Sequence, residues 1–443
     1  MKSLEKLDSE TIDVATSYNV YEKSIVWLDD DHIAMFVVSG YTPGNYYTKL
    51  YIKIYTVSTT GGTFSITETD SNNFQSTTDN TLYDHIDIIK LDDGKLAICY
   101  EQYYQATTHY LYVETFTYNT STFGSITSEL NLNFETTTIT DMSIASCDGP
   151  ATNLYVIMLA YCTGSGGDGF LSTFYTNCTS SIAEIDELTV TSDNTYKNKI
   201  LNIDQYNFIL TYSYESSGTD YVKSQVYECT NVGDTITANG TSDTFGVSPL
   251  AYDVGTSWLD MTKTTSNSNY MVIINGTPTG LGSAALLVQT LAIASSTYNT
   301  TYDSNPVSVG AYTHPNLTRV DDTTYALGVF ATYWKVVLIG LDSTTITANV
   351  YTYSTNVSSA SSGECAVLAT DDGKLLFYAF EYDNLELLGS IAIKIRIGGA
   401  SATWRRVRSM QIRIGGATPD WEYVGDLQIR IGGATPDWED VYH

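Results

Sequence analysis

The chain has 443 residues, 50 of them acidic and 21 basic, for a net charge of −29. Binding to a bare phosphate backbone needs clustered Lys and Arg, so the composition excludes a nucleic-acid partner. Charged residues make up only 16% and hydrophobic ones 43%, with 36 Tyr, which describes a β-rich chain that buries a core rather than an acidic disordered one.

At the start, Met1 to Glu10 alternates charged and apolar residues without an apolar core segment, so no secretory signal peptide is expected. The longest apolar runs, residues 154–162 and 284–294, are too short for a membrane span, and no membrane insertion is expected. Cys99, Cys147, Cys162, Cys178, Cys229 and Cys365 form no CxxC pair, and Cys99, Cys162 and Cys365 lie in apolar strand-like runs, which points to free buried thiols. His32, His85, His109, His314 and His443 never fall at metal-ligand spacing, so no metal and no cofactor are expected.

From residue 24 onward a unit recurs: an apolar run, an acidic or polar turn, and a second apolar run. It reads IVWLDDDHIAMFVV from Ile25, then IIKLDDGKLAICY from Ile88, SIASCDGPATNLYVIMLAY from Ser143 and ILNIDQYNFILTYSY from Ile200. It continues as SWLDMTKTTSNSNYMVII from Ser257, LTRVDDTTYALGVF from Leu317 and AVLATDDGKLLFYAF from Ala366. Taking Trp27, Ile89, Ala145, Leu201, Leu259, Arg319 and Leu368 as equivalent, the units are spaced by 62, 56, 56, 58, 60 and 49 residues. Each continues into two more strand-like stretches, for example from Lys49 and Gly62 in the first. Period-two alternation and β-branched and aromatic enrichment mark strands throughout, and helical periodicity with caps is absent.

Seven units of four short antiparallel strands predict an all-β, seven-bladed β-propeller over residues 1–389, because radial repetition protects the strand edges. Six or eight blades, or a double sandwich, are the alternatives. Residues Thr11 to Tyr21 are expected to supply the outer strand that closes the last blade. The acidic clusters Asp29-Asp30-Asp31, Asp92-Asp93-Gly94, Asp321-Asp322 and Asp371-Asp372-Gly373 fall between the first two strands of a unit, where turn chemistry accounts for them. No Ca²⁺ loop and no carboxylate pair is marked as catalytic. Beside a further pair, Tyr212 and Tyr214 in the fourth unit, the residues Tyr41, Tyr46, Tyr47, Tyr103, Tyr104, Tyr298 and Tyr302 cluster in expected loops and strand ends. Tyr offers rigid contact area with a polar tip and stacks on sugar faces, so these are the candidate ligand-binding residues.

Residues 390–443 carry a second repeat of period 17: KIRIGGASATWRRV from Lys394, QIRIGGATPDWEYV from Gln411 and QIRIGGATPDWEDV from Gln428, the last two sharing twelve consecutive identical residues. Alternation before Gly-Gly, a turn, and then Trp read as a β-hairpin with one apolar face. A lone hairpin of this size is marginal in water. The three are therefore expected to dock on a partner or on other copies, with stacking within the chain and disorder as alternatives. The candidate docking residues are Ile397, Trp404, Ile414, Trp421, Ile431, Trp438, Arg413 and Arg430. This tail holds 7 basic and 6 acidic side chains, against 14 and 44 in residues 1–389, so the negative charge belongs to the body.

The repeats, as in IRIGGATPDWEYV, resemble C-terminal repeats of tail and fibre proteins of tailed bacteriophages. The resemblance covers residues 391–443 only. It implies a virion location, an oligomeric β-rich appendage with other virion proteins or copies of itself as partners, and contact with the host surface, which includes glycan. It carries over no catalytic residue. A virion protein made in the host cytoplasm also reconciles an extracellular type of surface with the lack of an export signal. The alternatives are a glycan depolymerase or glycosidase on the same scaffold and a cellular protein-interaction propeller.

Overall fold

The computed structural model describes residues 4–12, 20–42, 45–58, 65–76, 81–104, 108–136, 138–149, 151–164, 167–217, 219–229, 235–245, 258–264, 269–276, 285–302, 306–342, 345–347, 352–355, 365–370, 374–379 and 382–390, and in the tail 394–397, 403–406, 411–414, 420–423, 427–431 and 437–441. Strands dominate, and among these residues no helix is long and apolar enough to cross a membrane.

The body is a seven-bladed β-propeller. Running from the channel outward, blade 1 is Val20–Trp27, His32–Thr42, Asn45–Ser58 and Ser65–Ser76, and blade 2 is Thr81–Asp92, Lys95–Tyr104, Thr108–Asn119 and Gly124–Thr136. Blade 3 is Ile139–Asp148, Tyr155–Thr163, Gly169–Thr176 and Ile182–Thr191, and blade 4 is Asn194–Asn202, Asn207–Ser216, Thr219–Cys229 and Ile236–Thr244. In blades 5 and 6 the described residues give the outer edge as two short strands: Leu259–Lys263, Asn269–Gly276 and Ala285–Ile293 carry Thr300–Tyr302 and Val307–Gly310, while Thr313–Arg319, Thr324–Phe330 and Trp334–Asp342 carry Thr345–Thr347 and Thr352–Ser354.

Blade 7 closes the ring. Its inner three strands, Cys365–Ala369, Leu375–Ala379 and Tyr382–Ser390, come from the end of the body, and its outer strand is Leu4–Thr11, in register from Leu4↔Ser390 to Thr11↔Asn384. An outer strand from the beginning of the chain is what the sequence led us to expect, but the segment is corrected. Thr11 is the last residue of the closing strand, Val20 and Tyr21 already belong to the inner strand of blade 1, and residues 13–19 lie outside the described residues. An outer strand needs only one apolar face, so LEKLDSET suffices: Leu4 is buried, and Ile12, just past the strand, packs between blades 7 and 1.

The core is a set of wedges between neighbouring blades. Seven clusters of buried residues occur, one per blade interface, such as Phe36, Ile52, Leu96 and Phe116 between blades 1 and 2, and Met158, Leu171, Phe208 and Tyr227 between blades 3 and 4. Burying apolar area on both faces of every sheet is the main stabilising term. The six cysteines are free, five of them buried, and burial pushes the thiols of Cys178 and Cys229 up to about 12.

Carboxylates also stitch the blades together, a role distinct from turn chemistry. On inner strands, Asp87 Oδ2 accepts from Ile144 N (3.2 Å), Asp141 Oδ2 from Asn198 N (2.7 Å) and Asp260 Oδ2 from Leu317 N (2.6 Å), each on the next blade. Asn316 Oδ1 does the same for Val367 N at 2.8 Å. On outer strands Asp8 accepts from Ile66 N (2.8 Å), Asp70 from Ile126 N (3.3 Å), Asp186 from Ile236 N (2.7 Å) and Asp243 from Tyr302 N (2.9 Å). Charged acceptors on backbone N–H groups make strong hydrogen bonds. They satisfy donors at sheet edges that the ladders leave open.

The turns between the first and second strands behave as expected. Asp29 Oδ1 accepts from Asp31 N (2.9 Å), Asp204 Oδ1 from Tyr206 N and Asn207 N (both 3.1 Å), and Asp321 Oδ1 from Thr323 N (2.8 Å), while Gly94 takes φ +77°. The turn at Asp371-Asp372-Gly373 lies outside the described residues. Burial opposes ionisation at Asp29, Asp204 and Asp321, but hydrogen bonds override it and hold these carboxyls below their usual value; at Asp92 the Tyr155 hydroxyl is the main cause. A lowered folded-state pKa adds stability that is present above the unfolded value, about 3.9, and lost as pH falls through the folded one. The variant D29N/D92N/D204N/D321N keeps the acceptors without the charge. Its urea midpoint should fall less than the wild-type midpoint between pH 5 and 3, and identical slopes would refute the role given to these turns.

The tail contains three separate two-stranded hairpins, Lys394–Ile397 with Thr403–Arg406, Gln411–Ile414 with Asp420–Tyr423, and Leu427–Ile431 with Asp437–Val441. Their registers repeat, pairing Arg396 with Trp404, Arg413 with Trp421 and Arg430 with Trp438.

Candidate binding site: an aromatic face and the central channel

Antiparallel meandering puts the turn between first and second strands on one face of the ring and the turn between second and third strands on the other. The acidic turns share the first face: Val57 N donates to Asp31 O (2.7 Å) and Leu341 N to Thr323 O (2.7 Å), and neighbouring turns are tied by Lys90 Nζ to Leu28 O (2.6 Å) and Tyr155 OH to Asp92 Oδ2 (2.8 Å).

Aromatic residues collect on the opposite face. At the end of the second strand and the start of the third, four blades place two rings directly across the hairpin: Tyr103 and His109, Tyr161 and Phe170, Tyr214 and Tyr221, Phe330 and Trp334. Their centroids lie 5.4, 5.2, 5.4 and 5.2 Å apart. Tyr161 and Trp334 are buried and brace their partners, whereas Tyr103, Phe170, Tyr214, Tyr221 and Phe330 are half-buried, and the neighbouring Tyr333 is 41% exposed. Cross-strand aromatic pairs stiffen a hairpin. His109 Nδ1 is held 2.7 Å from Glu101, which also accepts from Ile139 N at 2.9 Å.

The tyrosines singled out from sequence separate into two groups. Tyr41, Tyr46, Tyr47, Tyr103 and Tyr104 all lie on strands flanking the second turn of blades 1 and 2, on the aromatic face; the side chains of Tyr41, Tyr46, Tyr47 and Tyr104 lie outside the described residues. Tyr298 and Tyr302 are elsewhere. Tyr298 OH donates to Asp204 Oδ2 (2.8 Å) on the acidic-turn face, and the Tyr302 hydroxyl is 2.7 Å from Ser224 Oγ between blades 4 and 5. The side chains of Ile397, Trp404, Ile414, Trp421, Ile431, Trp438, Arg413 and Arg430 lie outside the described residues. Sequence reasoning missed Phe170, Tyr221, Phe330 and Trp334, although an aromatic on each side of a short hairpin turn was a usable signal.

The channel holds a cavity of about 290 Å³ lined by the inner strands of all seven blades, including Ser24, Asp87, Lys199, Asp260 and Asn316. A smaller one of about 80 Å³ adjoins it, lined by Asp141, Lys197, Asn198, Trp258 and His314 among others, and sharing Lys199 and Asp260. Within the channel, Asp87 Oδ1 accepts from Ser24 Oγ (2.7 Å), and Lys199 Nζ lies 3.7 Å from Asp260. Burial raises the Asp260 pKa against the opposing influence of Lys199. Among the described residues no group of three or more His, Cys, Asp or Glu could hold a metal.

No protein-family model matches the sequence, and no curated protein matches it either. Among solved structures, the chain is similar to the periplasmic gluconolactonase PpgL of Pseudomonas aeruginosa at 9% identity and TM-score 0.51, covering 81% of this chain and 88% of that one. A mutant Aleuria aurantia lectin in complex with Fucα1-6GlcNAc aligns at 8% identity and TM-score 0.41, over 77% of this chain and 97% of that one. The Penicillium chrysogenum α-L-arabinanase complexed with arabinobiose aligns at 10% identity and TM-score 0.43, over 87% and 98%. At these identities the gluconolactonase supports the propeller fold alone, and fold does not fix function.

Proposed function

We propose that the chain is a display protein of a tailed-phage particle, an appendage whose propeller binds host-surface glycan with its aromatic face and whose hairpin repeats dock to other virion proteins or to copies of itself. The observation that carries the binding half is the set of four cross-strand aromatic pairs on one face of the ring. Rigid half-buried rings are the surfaces on which sugar C–H faces stack, and copies on one particle multiply weak contacts into avidity gains of about 10²–10⁴.

Cleavage of the glycan receives less support. The channel carboxylates Asp87, Asp141 and Asp260 each accept a backbone N–H of the next blade, which ties them to holding the ring together. One experiment separates display from anchoring. Particles carrying Tyr103→Ala, Phe170→Ala and Tyr214→Ala should contain the protein at normal copy number but adsorb to host cells about tenfold less per lost stacking contact of ~1.4 kcal/mol. Particles made with a chain truncated after residue 390 should lack the protein. Normal adsorption in the first case, or normal copy number in the second, would overturn the corresponding half.

A further inference from the structure

The three tail repeats differ from one another mainly in charge. Residues 394–410 hold five basic side chains (Lys394, Arg396, Arg405, Arg406 and Arg408) and no acidic one, whereas residues 411–427 and 428–441 each hold one basic and three acidic ones. The net charges are therefore +5, −2 and −2. Over the twelve residues that the second and third repeats share unchanged, the first departs at five positions. Three of those alter charge: Lys394 replaces Gln411, Thr403 replaces Asp420 and Arg405 replaces Glu422.

Backbone register assigns these differences to faces, because residues directly opposite across a hairpin lie on the same face. Ile395 pairs with Arg405, Ile412 with Glu422 and Ile429 with Glu439, and the next isoleucine of each repeat pairs with Thr403, Asp420 or Asp437. One face of each hairpin thus joins two isoleucines to a charge that is positive in the first repeat and negative in the others. The opposite face of the first hairpin is basic too, since the pair Lys394 and Arg406 stands beside the pair Arg396 and Trp404. A basic hairpin with two faces matches two acidic hairpins with one isoleucine face each.

Each hairpin forms a two-stranded sheet of its own, with no strand of one paired to a strand of another, and such a sheet is marginal until its apolar face is covered. Apolar area supplies the attraction, and charge selects which faces meet. Two acidic repeats, or two basic ones, brought together in register oppose like charges, which suppresses that pairing. Chain length then decides where the two acidic hairpins come from. Stacked sheets lie about 10 Å apart, so hairpins on opposite faces of the first are about 20 Å apart. The four steps from Tyr423, which ends the second hairpin, to Leu427, which begins the third, reach only about 14 Å. One chain cannot place its second and third hairpins on both faces of its first.

We infer that the tail is a self-association element: the basic first hairpin of one copy is covered on one face by its own second hairpin and on the other by the acidic third hairpin of a neighbouring copy. This contact is heterologous, so copies join head to tail and close into a ring where the rotation permits. It rests on the docking reading above and adds to it the partner, a second copy of this chain, and the order of contact.

The test follows the mass of the full-length protein by sedimentation velocity over a dilution series. Wild type should associate, and a chain truncated after residue 390 should be monomeric. Arg405→Glu/Arg406→Glu and Asp437→Arg/Glu439→Arg should each weaken association about tenfold or more. All four substitutions in one chain exchange the signs and should recover most of the loss, a result that misfolded hairpins would not give. Monomeric wild type, or failure of the combined variant to recover, overturns the inference. So does unchanged association of Asp437→Arg/Glu439→Arg, which would put the partner of the basic hairpin on the acidic body. If wild type is monomeric but particles still need residues 391–443 to carry the protein, the tail docks on another virion protein and the docking reading stands. If particles carry the truncated chain at normal copy number, that reading falls, and sedimentation alone decides the self-association.

Discussion

Removing residues 1–12 should lower the melting temperature by about 10 °C or more. The deletion takes away the outer strand of blade 7 and with it the buried Leu4 and Ile12, each worth about 1.5–3 kcal/mol. It also removes the Asp8 acceptor that Ile66 N uses in blade 1, and the Lys6 to Glu386 ion pair at 3.5 Å, whose Glu386 is fully buried. The strand Tyr382–Ser390 is left as an open edge, which invites pairing with another chain. The sum, roughly 5 kcal/mol or more, is a large part of the 5–15 kcal/mol that holds a typical domain together. Light scattering should show association of the truncated protein. A melting temperature within 2 °C of wild type, without association, would show that ring closure contributes little.

Asp260→Ala should be the most damaging single substitution in the channel. Asp260 is 4% exposed, and its two oxygens accept from Met261 N (2.8 Å) and Leu317 N (2.6 Å). Alanine strands both donors and deprives Lys199 of its neighbour. With about 1–3 kcal/mol for each buried group left unpaired, the loss should be roughly 2–5 kcal/mol. Asp260→Asn keeps an acceptor oxygen and should lose less than half of that. Because burial raises the Asp260 pKa, its protonated form is favoured by folding. That contribution is fully present below the unfolded pKa and fades as pH rises through the folded one. The midpoint difference between wild type and Asp260→Asn should therefore shift with pH in the opposite sense to that of the acidic turns. Asp93→Ala, at a side chain 80% exposed, is the control and should change stability by no more than about 0.5 kcal/mol. Equal effects of Asp260→Ala and Asp93→Ala would show that the blade-to-blade stitch is dispensable.

The blades were legible because strand alternation and hairpin turns are local properties, and IVWLDDDHIAMFVV shows both within one window. The closing strand was placed too far along because TIDVATSYNVY is richer in β-branched and aromatic residues than LEKLDSET. Pairing with Tyr382–Ser390 decides between them, and that partner is far away in sequence. The carboxylate stitches stayed hidden for a related reason. Aspartate is disfavoured within strands, and nothing in the sequence singles out Asp87, Asp141 and Asp260, because the N–H that each accepts lies on the next blade. The aromatic face was half visible in Tyr41, Tyr46, Tyr47, Tyr103, Tyr104 and Tyr214. Its other members are single aromatics whose partner lies across a hairpin, and only register brings Tyr161 to Phe170 or Phe330 to Trp334.

The joining of Leu4–Thr11 to Tyr382–Ser390 also orders events during synthesis. Thr11 pairs with Asn384 and Leu4 with Ser390, separations of 373 and 386 residues. At about 5–20 residues per second, the first strand waits roughly 20–75 s for its partner to leave the ribosome. Throughout that time it must stay unpaired, which its Lys, Asp and Glu content favours by keeping it soluble. The hairpin repeats, beginning at Lys394, emerge only after this last pairing partner, so under the docking role proposed above a chain still lacking its seventh blade would have nothing to dock with.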